Sequence, residues 1–150
     1  MFLYSIIIIG AIIALDQAIK SKVIDKIMPY SNLEVIKNFF YITYVENRGI
    51  AFGLFKGNRV IFIVATYIIS LILGFYIFKF SKKHVGITIC LALIVGGAIG
   101  NLIDRIRLGY VVDYMHFTIF PPVFNLADSA IVCGAIVLSI LLIFSKNITL

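Results

Sequence analysis

Charge is scarce in this sequence. Of 150 residues only 13% are Asp, Glu, Lys or Arg, and the acids number just 7 against 13 Lys and Arg. A soluble domain carries about a quarter charged residues. With 62% apolar residues and a mean hydropathy of +1.11, a soluble fold is excluded and an integral membrane protein indicated. Cysteine and histidine are equally sparse. Cys90 and Cys133 both fall in apolar runs, where thiols act as small hydrophobes, so neither a disulfide framework nor a redox compartment is indicated. His84 and His116 stand at no ligand spacing to each other or to the cysteines, and no metal is expected. The apolar start, Met1 to Leu15, lacks a basic leader and a small-x-small cleavage site; it is expected to remain as a membrane helix. No cysteine occupies the position a lipoprotein signal would give it.

The cations leave a net charge of +6 and a pI near 9.4, yet they are scattered over short loops such as Lys79, Lys82 and Lys83. Nucleic-acid surfaces gather basic residues among aromatics, so nucleic acid is not an expected partner. Anionic lipid headgroups are.

Four apolar runs are present, at about 2–20, 60–78, 85–103 and 124–144. Each is long enough to cross a hydrocarbon core of about 30 Å. The chain is therefore read as one membrane domain, 1–150, of the all-α class. The second run carries no charge and is expected to face lipid; the third carries Gly86, Gly96, Gly97 and Gly100, where other helices can approach closely. Pro121 and Pro122 are expected to introduce the first turn of the fourth helix. Within the long connection 21–59, the stretch Glu34 to Val45 is rich in aromatic and β-branched residues, which predicts a small interfacial β-rich cradle. Four spans put both termini on one side. A raw Lys/Arg count favours the long loop inside, the density at Lys79, Lys82 and Lys83 favours the opposite, and the charge rule leaves orientation open.

Four of the five aspartates, Asp16, Asp104, Asp113 and Asp128, lie within or at the ends of these apolar runs. Carboxylates at membrane depth are costly and usually serve a mechanism. Asp113 and Asp128 belong at the same membrane face, and two carboxylates sharing a site hold one proton between them. One can then activate water while the other donates a proton. Two plainer readings stand beside this: Asn125 caps the fourth helix with Asp128 complementing its dipole, and Asp113 is an interfacial acid. Asn101, Asp104 and Arg105 have helical spacing and form a candidate supporting cluster in which Arg105 neutralises an acid. Asp16 and Lys20, four apart, form an ion pair that an interfacial position would also explain. Asn47 and Gly49 offer hydrogen bonding and close backbone approach, or an ordinary turn.

In order along the chain, Asp16-Gln-x-x-Lys20, Asn47-x-Gly49-x-Ala-Phe52, Gly97-x-x-Gly-Asn-x-x-Asp-Arg105, Val111-Val-Asp113 and Phe124-Asn-x-Ala-Asp128 resemble the lipoprotein signal peptidases, the type II signal peptidases of bacteria. The resemblance implies a cofactor-free aspartyl endopeptidase of the bacterial cytoplasmic membrane. It would cleave diacylglyceryl-modified prolipoproteins just before the lipidated cysteine, acting as a single copy among membrane lipids. It further implies Asp113 and Asp128 as the catalytic dyad. Asn47, Gly49, Asn101, Arg105 and Asn125 would bind substrate or support the site, with Asp16, Lys20 and Asp104 as supporting polar residues. Both termini would be cytoplasmic and the dyad near the outer face. Ile50 departs from the small residue common in the family. The alternative from a different class is a small proton- or ion-coupled transporter, although no internal repeat of the transporter kind is present.

Overall fold

The computed structural model describes residues 1–30, 32–49 and 59–144. The motif residues Ile50, Ala51 and Phe52 lie outside the described residues. Four helices of spanning length and apolarity are present: α1 (Phe2–Lys26), α2 (Arg59–Phe80), α3 (Val85–Arg107) and α4 (Leu126–Phe144). A 3-10 turn, Met28–Tyr30, follows α1. Strands β1 (Asn32–Ile36) and β2 (Phe40–Asn47) lie between α1 and α2, and β3 (Val111–Phe117) and β4 (Phe120–Phe124) between α3 and α4.

Two helices run past their apolar stretches until a chain breaker stops them. Nothing in Ser21-Lys-Val-Ile-Asp25 opposes helix, so α1 continues to Lys26, shortly before Pro29. Helix α3 continues to Arg107 and ends where Gly109 takes a φ of 88°. That left-handed conformation is easily adopted only by glycine.

Helix α3 is the hub. Its apolar window is 61% buried, against 11%, 6% and 11% for α1, α2 and α4, as its glycines foretold. A Cβ on Gly97 would collide with the backbone carbonyl of Ala127, and one on Gly100 would stand 2.8 Å from Asp16 Oδ2. Close backbone approach of this kind is how helices associate in lipid, where apolar burial alone provides little drive. Helix α2 has only Ile77 and Phe80 buried, and many of its large apolar side chains, from Val60 and Ile61 to Phe75 and Phe78, are exposed.

The four strands form one antiparallel sheet in the order β1-β2-β3-β4. The strands expected within residues 21–59 are present as β1 and β2, and a second hairpin, whose Val, Tyr and Phe content suits strand, supplies the other half of the sheet. Pro121 and Pro122 differ from expectation, lying in β4 and not in the first turn of α4. The β3–β4 register pairs Met115 with Phe124 and Phe117 with Phe120, and an edge strand tolerates residues without an N–H.

The sheet lies at the end of the bundle where α1 and α3 finish and α4 begins. Val112 and Tyr114 of β3 pack there with Val23 of α1. Toward the opposite end a second core joins Ile77, Phe80, Ile87, Leu91, Ala92 and Val95. Between these two apolar clusters lies a layer of polar side chains.

Candidate active site

The polar layer begins with an ammonium among acceptors. Lys20, 2% exposed, lies 2.8 Å from Asp16 Oδ2 and 2.8 Å from Asp104 Oδ2, and donates to Asn101 Oδ1 at 2.9 Å. All three ammonium hydrogens are thus engaged. The expected Asp16–Lys20 pair exists, but in the protein core and not at an interface. Arg105, expected to neutralise an acid, has its charge within electrostatic reach of Asp128, Asp113 and Asp104 but makes its close contacts elsewhere. Among the described residues Arg105 forms no ion pair; it donates to the Asn101 carbonyl at 3.4 Å and lies over the Phe62 ring. Lys20 performs the neutralising task because its Nζ reaches both acids from the facing helix.

Gln17 completes this cluster, donating to Asp104 Oδ1 at 2.8 Å and to the Gly100 carbonyl at 3.2 Å. In the sequence it stands within Asp16-Gln-x-x-Lys20 with no role of its own. Its signal was its place one residue after a buried acid on a helix face turned toward α3.

The start of α4 is held by side chains from three elements. The first four N–H groups of a helix lack intrahelical partners, and here each has one. Asn125 N–H donates to Asp128 Oδ2 at 3.2 Å and Leu126 N–H to the Tyr114 hydroxyl at 3.1 Å. Ala127 N–H donates to Asp16 Oδ1 at 3.1 Å and Asp128 N–H to Asn125 Oδ1 at 2.8 Å. Asn125 and Asp128 therefore form a reciprocal capping box. The capping reading of Asn125 is correct, and it coexists with a place at the site. Tyr114 had no sequence signal beyond strand propensity.

Asp113 sits on β3 between Val112 and Tyr114, and strand alternation turns it to the opposite face from them. Asn47 on β2 shares that face, diagonally across the pairing of Val45 with Asp113 and Asn47 with Val111. Three asparagine amides then converge on the two carboxylates. Each has its orientation fixed by a donor at its oxygen: Gly49 N–H to Asn47 Oδ1 at 3.2 Å, Lys20 to Asn101 Oδ1, and Asp128 N–H to Asn125 Oδ1. The NH2 groups must consequently face the acids. Asn47 Nδ2 donates to Asp113 Oδ2 at 2.9 Å, Asn125 Nδ2 to Asp113 Oδ1 at 2.7 Å, and Asn101 Nδ2 to Asp128 Oδ1 at 2.7 Å. All four carboxyl oxygens accept an N–H, and Asn125 bridges the two acids.

The structure thus brings Asn47, Gly49, Asn101, Asn125, Asp113 and Asp128 into one constellation, with Asp16, Lys20 and Asp104 directly behind it and Arg105 at its side. Burial pushes the Asp113 carboxyl up to about 6, with the Asn47 amide pulling against it, Asp128 adding to the rise, and Asn125 and Lys20 opposing it. Asp113 is only 2% exposed, whereas Asp128 is half-buried. One enclosed carboxyl able to hold a proton near neutrality beside a more open one is an arrangement suited to acid–base hydrolysis. Among the described residues no group of His, Cys, Asp and Glu is arranged to hold a metal ion.

Comparison with known proteins agrees with this chemistry. Residues 8–144 match the family described as signal peptidase (SPase) II. A lipoprotein signal peptidase from Caldanaerobacter subterraneus subsp. tengcongensis is 47% identical over 144 residues, covering 96% of this chain and 99% of that protein. One from Halothermothrix orenii is 48% identical over 132 residues, 88% and 90% of the two chains. A solved bacterial membrane enzyme structure, obtained by the in meso method at 2.3 Å resolution, superposes with a TM-score of 0.82 at 32% identity. It covers 98% of this chain and 94% of its own.

Proposed function

The chain belongs to the signal peptidase II family, aspartic peptidases that cleave prolipoprotein signal peptides, and on that premise we propose that Asp113 and Asp128 are its catalytic dyad. The observation that carries this reading is the bridge through Asn125, which holds both carboxyls with every oxygen on an amide donor. Asp128, more open and at the positive end of α4, is the base that takes a proton from the attacking water. Asp113, the enclosed member, gives its proton to the scissile carbonyl oxygen. The resulting gem-diol collapses when its hydroxyl proton returns to Asp113 and Asp128 hands its proton to the leaving nitrogen. The peptide bond is then replaced by a carboxyl and an amine, and no covalent enzyme intermediate forms. Asn47, Asn101 and Asn125 position the carboxyls; Lys20, Asp16 and Asp104 hold Asn101 and the start of α4; Gly49 orients Asn47; Arg105 packs against the layer.

The substrate is a prolipoprotein carrying diacylglyceryl on the cysteine that follows the scissile bond, reaching the dyad laterally through the bilayer. The enzyme spans the bacterial cytoplasmic membrane with both termini inside and the sheet and dyad toward the outer face. Several cations at the sheet end support this orientation by being committed within the fold. Lys20 is buried among acids, Arg48 pairs with Glu46, Arg59 donates to the Ile106 carbonyl and Arg107 to Gln17. Lys22, Lys26 and Lys37 remain exposed but spread out at the sheet end, whereas Lys79, Lys82 and Lys83 form a dense basic cluster at the opposite end.

The test is cleavage of a diacylglyceryl-modified prolipoprotein by wild type, Asp113→Asn and Asp128→Asn in lipid, with folding measured in parallel. General acid–base groups contribute roughly 10²–10⁴-fold each, so each folded variant should lose at least that factor. A folded variant cleaving within about tenfold of wild type (1.4 kcal/mol) would remove that residue from the dyad.

A further inference from the structure

Beside Asp128, strand β4 and helix α4 border an open-sided cavity of about 370 Å³. Its walls include Phe120, Pro122 and Phe124 from the strand and Asp128, Val132 and Cys133 from the helix. Asp128 is the one charged residue among those that line it. We propose that this cavity is the subsite for a fatty acyl chain of the substrate's diacylglyceryl cysteine; the proposal rests on the reading of Asp128 as a dyad member.

Three features point to hydrocarbon as the occupant. First is reach. The scissile nitrogen belongs to the lipidated cysteine, so the first ester carbon lies about seven bonds away, roughly 8 Å at covalent bond lengths near 1.5 Å. Cys133 is five residues along α4 from Asp128, about 7 Å toward the bilayer interior at 1.5 Å per residue. An acyl chain that starts at the dyad therefore enters the cavity at once. Second is continuity. Val132, Ile136 and Ile140 are exposed by 54%, 54% and 49% and stand at i, i+4 and i+8 on one face of α4. They extend the cavity as an apolar track toward the membrane centre, longer than the cavity itself.

The third feature separates lipid from peptide. Strand β4 is an edge of the sheet, and an extended peptide binds such an edge through main-chain hydrogen bonds. Pro121 and Pro122 occupy two of its five positions and have no N–H to donate. Because successive N–H groups point to opposite edges, one of the two prolines faces outward, and a peptide strand laid along β4 would leave a carbonyl unpaired there in a dry environment, which is costly. A hydrocarbon chain asks for no donor, and the stacked rings of Phe117 and Phe124, with Phe120 edge-on to Phe124, form a wall suited to it.

Cys133 is exposed while Cys90 is buried, so the protein carries its own reporter. Wild-type enzyme in lipid nanodiscs is treated with N-ethylmaleimide, mass spectrometry locates and times the label, and a non-cleavable lipopeptide is added whose scissile amide is replaced by a methylene-amine. The expected result is at least tenfold slower alkylation of Cys133 with 16-carbon acyl chains. Little slowing is expected with two-carbon chains, or with the same peptide lacking the diacylglyceryl group, at concentrations that inhibit cleavage equally. Equal protection by the unlipidated peptide would assign the cavity to peptide. Inhibition of cleavage with no protection of Cys133 would leave the dyad reading intact and overturn the subsite. Failure of wild type to cleave the parent lipoprotein would overturn the dyad reading and the subsite together.

Discussion

Replacing Lys20 by methionine keeps a long apolar stem in place and removes one charge, which isolates what the ammonium does. Asp16 and Asp104 are 0% and 3% exposed and would keep, among the described residues, dipolar donors alone: Gln17 and the Ala127 N–H for the first, Gln17 and the Val112 N–H for the second. Removing one member of a buried ion pair while leaving the other charged costs about 3–5 kcal/mol. That is a large part of a stability that is typically about 5–15 kcal/mol. Neutralising one stranded acid should recover much of the loss. The double variant Lys20→Met, Asp104→Asn is therefore expected to be more stable than Lys20→Met alone, with a coupling energy of about 2 kcal/mol in the double-mutant cycle. Reversible unfolding by SDS in mixed micelles supplies the free energies, followed by tyrosine fluorescence, since the chain has eight Tyr and no Trp. A second readout separates position from stability. Without Lys20, Asn101 Oδ1 loses its shorter, charged donor and keeps the Asn125 Nδ2 bond at 3.1 Å, so the amide is held less firmly toward Asp128 and the rescued double variant should fold yet show reduced kcat with little change in KM. A Lys20→Met protein within about 1 kcal/mol of wild type, or strictly additive effects in the cycle, would refute the reasoning, because packing alone would then account for Lys20.

As the proton donor, Asp113 must be protonated, so kcat/KM in the free enzyme should fall as pH rises through about 6. Because the Asn47 amide stabilises the charged carboxylate, Asn47→Ala should move that alkaline limb upward; a pH profile checks both. The raised carboxyl also favours the folded state below its unfolded value near 3.9, and this contribution is lost as pH rises through about 6. Thermal stability should decline over that window, and the decline should flatten in Asp113→Asn. Asn125→Ser keeps a capping oxygen and should stay within about 1 kcal/mol of wild type while losing at least tenfold in rate; Asn125→Ala should lose about 0.5–2 kcal/mol as well. Gly97→Ala should prevent assembly, since its Cβ meets the Ala127 carbonyl, whereas Gly10→Ala enters open space and should gain up to about 1 kcal/mol. Yield of folded protein from membranes tells these two apart.

Properties that are local or additive are legible in the amino-acid order alone. Apolar runs set the four spans, glycine spacing marked α3 as the helix others approach, and the aromatic, β-branched stretch after Glu34 marked a strand pair. The ordered motifs from Asp16 to Asp128 pointed to the family. The second hairpin was equally local in its β-branched and aromatic content. Its prolines beside an apolar run fit a helix start and an edge strand equally well, so local content alone does not decide between them. Other features belong to the tertiary structure alone, because they depend on which group occupies the far side of a bond. Lys20 was legible as a partner of Asp16, four residues away, but not of Asp104, 84 positions on, nor as the donor that turns the Asn101 amide toward Asp128. Asn125 offered a cap or a site residue, and folding made it both, since its oxygen takes the helix N–H and its nitrogen is left facing Asp113. An amide has one acceptor end and one donor end. Which acid it holds is decided when the fold commits its oxygen.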